Sequence, residues 1–507
     1  MSGYSAAAPD AAADRVRLMR IAIVHYHLQT GGVTRVIEHA CAALLGRGEQ
    51  VAVLAGEPPQ APLPAGATVA VLPGLAYEER RDALSPDQLA RAMASAARDA
   101  LGGPPDVWHL HNHCLGKNTV LPGAVLRLAR EGERLLLQPH DFAEDGRPAL
   151  YGRLREQLAD GNVGRLSALL YPLAPQIHYA TLTARDRGLL AGAGVPAAQL
   201  HALPNAVAVG LPDPGASAPA AAPQAGIDGR RLWLYPTRAI RRKNLGEFLL
   251  WATLAGEQDR FAVTQAPQNP QEQPIYQRWV ALARELGLPM TFAAGARADF
   301  GALVAASHAL VTTSVAEGFG LAFLEPWLMG RPLVGRDLTE ITADFTAAGV
   351  RLPGLYHRLD VPLAWLDARR LRAAFDVAAA KRAAAYGRPA ADTAAQAWHS
   401  AVRDGHIDFG RLDEPAQMQV IRQLRADPTA RTALCPPSLD AAPATAAIGE
   451  NRSVIEREYS VVGFGARLAA VYASVAGAEA SATFGAADGS ALLGEFLAPE
   501  RLSLLRT

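Results

Sequence analysis

Cysteine is scarce in this chain: three in 507 residues (Cys41, Cys114 and Cys435), odd in number and far apart. That pattern argues against a disulfide framework, lacks zinc-site spacing and fits a reducing, cytoplasmic setting. Net charge is missing too. The 49 Lys+Arg balance 49 Asp+Glu, so no basic excess calls for nucleic acid. No apolar run reads as long enough to span a bilayer. The first helical pattern, 33–45, lacks the basic stripe of a membrane-docking helix, although peripheral contact stays open. Residues 1–20 show no basic-then-apolar order and read as a disordered lead rather than a signal peptide. Half of the residues are apolar, and at this length two domains plus additions are expected.

One stretch organises the rest: residues 311–335, VTTSVAEGFGLAFLEPWLMGRPLVG. A β-prone run at 309–313 leads through a polar turn into Gly318-Phe319-Gly320, then into an apolar run, 321–329, that reads as a helix. Gly330 ends that helix, Pro332 seals it, and Leu333 and Val334 open the next strand. A strand, a Gly-rich turn and a helix aim backbone N–H groups and a positive helix end at an anion. Glu317 and Glu325 flank the turn with seven residues between them. Acids beside an anion site suit a ligand that carries hydroxyls as well as phosphate, and a nucleotide sugar has both.

Apolar runs at 21–25, 51–54, 68–72, 106–110, 134–138, 176–183 and 200–203 alternate with helical spacing at 33–45, 86–101 and 119–130. Such alternation implies a parallel sheet with right-handed crossovers. Residues 209–229 are rich in Pro, Ala and Gly without a period and read as a linker. A second alternation follows, with strands at 232–235, 261–264 and 290–293 and helices at 244–255, 276–286 and 300–306. The expected fold class is α/β: two Rossmann-like, doubly wound domains facing a cleft, with ligands at the carboxyl ends of strands. The expected order is a first domain (21–208), the linker, a second domain (230–454) with a helical insertion after about 342, a helix (455–475) and a tail (476–507). Residues 342–447 carry no functional signal.

Ordered motifs across these elements resemble retaining glycosyltransferases of the GT-B fold, family 4. Gly31-Gly32-Val33-Thr34-Arg35-Val36 is similar to that family's glycine pair after the first strand, and Asp106-Val107-Trp108-His109 to its DVVH strand. His140-Asp141 resembles its His-Asp pair, and Pro204-Asn205-Ala206-Val207 its PNGV, with Ala206 replacing the glycine. Arg238 and Lys243 stand where the family keeps an Arg and a Lys, and Glu317 through Glu325 matches its E-x7-E. The pattern departs after Glu325, with Pro326-Trp327 and later Arg336-Asp337-Leu338-Thr339-Glu340, so the loop that helps hold the donor diphosphate is altered.

The resemblance implies transfer of a sugar from a nucleotide diphosphate sugar to an acceptor with retention, with no tightly bound cofactor and no metal required by the sequence. Charge grows on the leaving phosphate; Arg238, Lys243, the amides of Gly318, Phe319, Gly320 and Leu321 and the following helix end are placed to meet it. Arg241 and Arg242 read as surface residues. Glu317 is expected on sugar hydroxyls and Glu325 on ribose. His140 is the candidate at the reacting centre, with Asp141 orienting it; Asn205, Gly31 and Gly32 complete the donor side. Arg35, His109, His111, Asn112, His113 and Asp141 are candidates for lining the acceptor cleft, the acceptor being a small soluble sugar or sugar acid. Three rivals remain: an epimerase or phosphorylase, a lipid- or polysaccharide-directed transferase, and a non-catalytic nucleotide binder. A phosphorylase of the glycogen type wants a late lysine for pyridoxal phosphate; Lys381 is the one lysine after Lys243 and sits in an unremarkable helical run. The 455–475 helix is expected to return across the linker onto the first domain.

Overall fold

The structure, a computed structural model, describes residues 18–208, 229–389, 393–434 and 436–506. Nearly all of the expected lead and linker, and Cys435, lie outside the described residues.

Two parallel sheets dominate. The first has seven strands in the spatial order Thr68–Val71, Gln50–Ala55, Arg20–His25, Val107–His111, Leu135–Gln138, Ile177–Thr181, Leu200–Ala202. The second has six, in the order Met290–Thr291, Asp259–Gln265, Arg231–Arg238, Ser307–Thr312, Leu333–Arg336, Leu355–Tyr356. Both are doubly wound. The strand order reverses between Arg20–His25 and Val107–His111 in one sheet, and between Arg231–Arg238 and Ser307–Thr312 in the other. A crevice opens outside the carboxyl ends of the strands at such a reversal. Strands buried on both faces need continuous apolar runs, and Ile21, Ala22, Ile23 and Val24 are fully buried.

The second sheet closes around a charge. Gly335 has φ +122°, and a Cβ there would lie 2.0 Å from the Thr312 carbonyl oxygen, so only glycine fits between these strands. The next residue, Arg336, is buried and donates to both oxygens of Glu247 (2.6–3.1 Å) and of Asp408 (2.8 and 2.9 Å). Tyr356 Oη donates to Glu247 Oε1 at 2.7 Å. Arg336 is therefore not the start of an altered diphosphate loop but the last residue of a strand, joining the 245–254 helix to the insertion.

Two helix expectations fail. The 321–329 run is a 3-10 turn (Leu321–Phe323) and a four-residue helix (Glu325–Leu328), because Gly320 is left-handed (φ +91°) and Pro326 interrupts the donors. The helix end invoked for the diphosphate is thus only one turn long. The 455–475 helix is two, Ile448–Glu458 and Val461–Ala476, parted where Ser460 caps the second through Gly463 N. By length and composition alone the 29 residues Ile448–Ala476 pass as long and apolar enough to cross a membrane, but they are broken into these two helices. The second helix buries Phe464, Leu468, Tyr472 and Val475 against the first domain. It approaches Gly32–Leu45 so closely that a Cβ on Gly465 would lie 2.7 Å from Ala43 Cβ.

The chain then runs along the first domain, where Gly485–Ala486 pairs antiparallel with Pro172–Leu173 and Leu492, Leu493 and Phe496 enter its core. It ends on the second domain, where Leu502 and Leu504 are buried.

Arg336→Met leaves Glu247 and Asp408 buried without their cation and is expected to cost about 3–5 kcal/mol. Urea denaturation of the variant checks this, and an unchanged midpoint contradicts it.

Candidate active site

At the carboxyl end of the second sheet, loop 313–317 is stitched to loop 241–244. Thr313 Oγ1 donates to the carbonyls of Lys243 and Asn244 (both 3.0 Å), Val315 N to Arg242 O (2.9 Å), and Tyr235 Oη to Lys243 O (3.1 Å). These bonds aim three side chains at one point. Lys243 Nζ donates to Glu317 Oε1, and Arg242 Nη1 to Glu317 Oε2 at 3.0 Å and to Ala316 O at 2.7 Å. Burial pushes the Glu317 carboxyl up, but Lys243 and Arg242 together hold it below the ordinary carboxylate range. Arg242, read as a surface residue, keeps a side chain 41% exposed and yet pairs with Glu317. Arg241, read the same way, is partly exposed and its guanidinium holds Glu414 (2.6 and 3.0 Å) and Leu504 O (3.0 Å). Arg238, at the exposed strand end, has no ion pair or hydrogen bond from its side chain among the described residues.

Glu325 faces the first domain and accepts from Arg35 Nη1 at 3.0 Å, so the cleft is bridged by a pair read as belonging to two different ligands. Burial raises the Glu325 carboxyl, and Arg35 opposes it. Phe319 turns its ring into a buried cluster with Phe345 (5.5 Å) and Tyr459 (6.2 Å), leaving only its backbone toward the cleft. Leu321 opens the 3-10 turn. Gly318 lies under the other domain: a Cβ there would be 3.7 Å from His140 O. Gly31 precedes the Gly32–Leu45 helix with an extended φ of −179°, and nothing approaches within 4 Å of a Cβ on Gly32. Asn205 is buried with its Oδ1 unpartnered among the described residues.

Across the cleft, imidazoles stack at the first sheet's reversal point. His109 and His111 share a strand face with ring centroids 4.2 Å apart, His111 and His140 stack at 5.0 Å, and His25 meets His111 edge-on at 6.3 Å. His111 Nδ1 and His140 Nε2 share a 2.7 Å hydrogen bond. Asn112 Oδ1 accepts from the backbone N–H of His140 (2.7 Å) and Asp141 (3.1 Å), which sets the His140 loop. His140 is therefore oriented by His111 and Asn112, not by Asp141, whose carboxylate is taken by Arg147 at 2.5 Å.

His109, Asn112 and His113 do not form an acceptor-lining loop. His109 lies in the sheet between Tyr472 Oη and Gln138 Oε1 (both 2.8 Å), and His113, turned away by the left-handed Asn112 (φ 58°), bonds Leu170 O at 2.8 Å. Among the described residues no group of three or more His, Cys, Asp or Glu is arranged for a metal. The positions missed from sequence, Arg242 and the His111–His140 bond, depend on partners 75 and 29 residues away, beyond any local signal.

No family model matches the chain. It is 26% identical over 263 residues to mannosylglucosyl-3-phosphoglycerate synthase of Petrotoga mobilis (strain DSM 10674 / SJ95), a stretch covering 47% of this chain and 48% of that protein. The match thus spans about half of that relative's length. Among solved structures it is similar to Anabaena Alr3699/HepE in complex with UDP and glucose (TM-score 0.53, 15% identity, 90% of this chain and 100% of that one). It is also similar to the catalytic domain of starch synthase IV from Arabidopsis thaliana bound to ADP and acarbose (TM-score 0.51, 12% identity, 91% and 100%). At such identities these likenesses establish the fold alone. It is GT-B, two Rossmann-like parallel-sheet domains about a cleft.

Burial lowers the histidines: His25 and His140 to about 3, His109 and His113 to about 4, from an ordinary 6.5. As pH falls below about 6.5 the unfolded chain takes up these protons while the folded chain does not, so stability complete above that pH is lost on acidification. The loss is about 1.4 kcal/mol per pH unit for each histidine. Glu144, pushed up to about 7 by burial from an ordinary 4.5, works the other way between those values, as do the raised Glu133, Asp186, Glu247 and Glu325, while His27, His39, His111, His178, His201 and His308, lowered too, add to the loss. The denaturation midpoint is expected to fall steeply from pH 6.5 to 5; a flat profile contradicts it.

Proposed function

We propose that this chain is a retaining glycosyltransferase of the family 4 type, moving a sugar from a nucleotide diphosphate sugar to a hydroxyl of a small soluble sugar or sugar acid. One observation carries the reading: the buried, ionised Glu317 held by Lys243 and Arg242 at the second sheet's reversal point, with Gly318 packed beneath the His140 loop.

In this reading the nucleotide lies on the second domain and Glu325 accepts from the ribose hydroxyls, exchanging Arg35 for them. The diphosphate reaches Arg238 and Lys243. As the glycosidic bond breaks, negative charge grows on the β-phosphate; a cation fixed beforehand, Lys243, stabilises it without having to reorganise. Glu317 positions Lys243, with Arg242 beside it, and accepts from hydroxyls of the sugar. Neutral His140, its Nε2 engaged by His111, offers Nδ1 to the sugar at the reacting centre. The acceptor hydroxyl attacks the face the phosphate leaves, and the leaving phosphate oxygen takes its proton. Configuration is retained without a covalent enzyme intermediate. What supports a donor of this class is that HepE was solved with UDP and glucose and starch synthase IV with ADP. The name of the Petrotoga relative supports an acidic acceptor.

A thermal-shift panel of UDP-, GDP- and ADP-sugars tests the donor site, with stabilisation by at least one expected and none by any contradicting it. Lys243→Ala is expected to lower turnover about a hundredfold or more in a product assay, while Arg369→Ala on an exposed helix face leaves it unchanged. Near-normal turnover of Lys243→Ala would remove Lys243 from the chemistry.

A further inference from the structure

A cavity of about 220 Å³ lies where the loop after His140 meets the Ala368–Ala385 helix and the end of the chain, with Asp145, Lys381, Arg382, Tyr386, Arg501 and Ser503 in its wall. We propose that it binds the anionic group, carboxylate or phosphate, of the acceptor. This rests on the transferase reading and names the class of its second substrate.

Position is the first argument. Asp145 follows His140 by five residues, and the intervening loop is held rigidly. Arg147 Nη1 donates to the carbonyls of Phe142 and Asp145 (both 3.1 Å) and Nη2 to Asp141. Tyr386 Oη accepts from Arg147 N at 2.7 Å and donates to Ala143 O at 3.2 Å. Hydrogen bonds through Arg147 and Tyr386 therefore tie the cavity to the loop that carries His140, where the insertion and the chain end meet the first domain.

Charge is the second. Three cationic side chains and one carboxylate line the wall. Arg501 is partly neutralised by Glu340 at 3.1 Å, and Arg382 holds Phe496 O. Lys381 makes no hydrogen bond or ion pair among the described residues. The chain has 49 Lys+Arg, of which only Lys117, Lys243 and Lys381 are lysine; Lys117 sits over the Tyr77 ring and Lys243 on Glu317. Lys381 is thus the lysine left to meet a ligand, as a compact charge with three donors on a flexible stem. Ser503 adds a buried hydroxyl with no partner among the described residues, a group that costs stability unless something accepts from it.

Size is the third. At about 220 Å³ the cavity is below the roughly 300–1,000 Å³ of pockets for larger ligands. It suits a short acid or a charged sugar and has no room for a lipid chain. The inference also gives a role to the 342–447 insertion and the chain end, which build two of its three walls.

Calorimetry with inorganic phosphate and with glucuronate, on the full chain, separates the two anion sources. Wild type is expected to bind at least one. Lys381→Glu is expected to weaken it tenfold or more, Lys381→Arg to preserve it, and Arg369→Ala to leave it unchanged. Stabilisation by nucleotide sugar should be the same in all variants. In transfer assays the wild type should prefer glucuronate or glucose 6-phosphate over glucose, and Lys381→Glu should lose that preference through KM. If neither anion binds, or Lys381→Glu binds and selects as wild type does, the proposal is overturned. Anion binding without any nucleotide-sugar binding would instead break the transferase reading and leave the anion site standing.

Discussion

A carboxylate out of water must be paid for by cations, and Glu317 obeys that constraint with two. Desolvating one ion costs several kcal/mol in a real protein, and its neighbours offset this only when the geometry is good. Loops 241–244 and 313–317 supply the geometry through shared backbone hydrogen bonds, so Lys243 and Arg242 are in place before any ligand arrives. The buried acid thereby fixes both cations at the crevice. Arg336, at the end of a strand of the same sheet, repeats the device with the signs exchanged, one guanidinium between Glu247 and Asp408.

The two domains are held together less firmly. Arg35–Glu325, Arg185–Glu340 and the bond from Ala184 N to Asp344 cross the cleft at partly exposed positions, where an ion pair contributes about 0–1 kcal/mol. Such contacts set orientation, and Tyr386 of the insertion adds hydrogen bonds with Arg147 N and Ala143 O from within the first domain's core. The lasting connection is covalent and apolar: the Val461–Ala476 helix on the first domain, then the chain end returning to the second. Each large apolar side chain buried there contributes about 1.5–3 kcal/mol, which outweighs the polar contacts.

The fold was legible because parallel strands buried on both faces must be apolar runs and their crossovers must be helices. The periods at 21–25, 33–45 and 86–101 lie within one residue of the observed Arg20–His25, Gly32–Leu45 and Pro86–Leu101. Local grammar was misread where one residue overrides a period: Gly320 and Pro326 break one helix and Ser460 divides another. The candidate site showed in the sequence as motifs and not as contacts. His109 and His113 carry the same side chain as His140, yet one is locked in the sheet by Tyr472 and the other by Leu170. Arg336 follows the E-x7-E stretch like a loop residue, but its partners are 89 and 72 positions away. Long-range pairing of this kind leaves no trace in spacing.

The central claim is that the Glu317 clamp and the His140 loop form one reacting centre for retaining sugar transfer. A proton NMR time course of a nucleotide α-sugar with the purified protein and an anionic sugar acceptor tests it most directly. The account predicts one nucleoside diphosphate released per glycoside formed, with the new anomeric centre in the donor's configuration. A product of inverted configuration, or no diphosphate released from UDP-, GDP- or ADP-sugars, would contradict it.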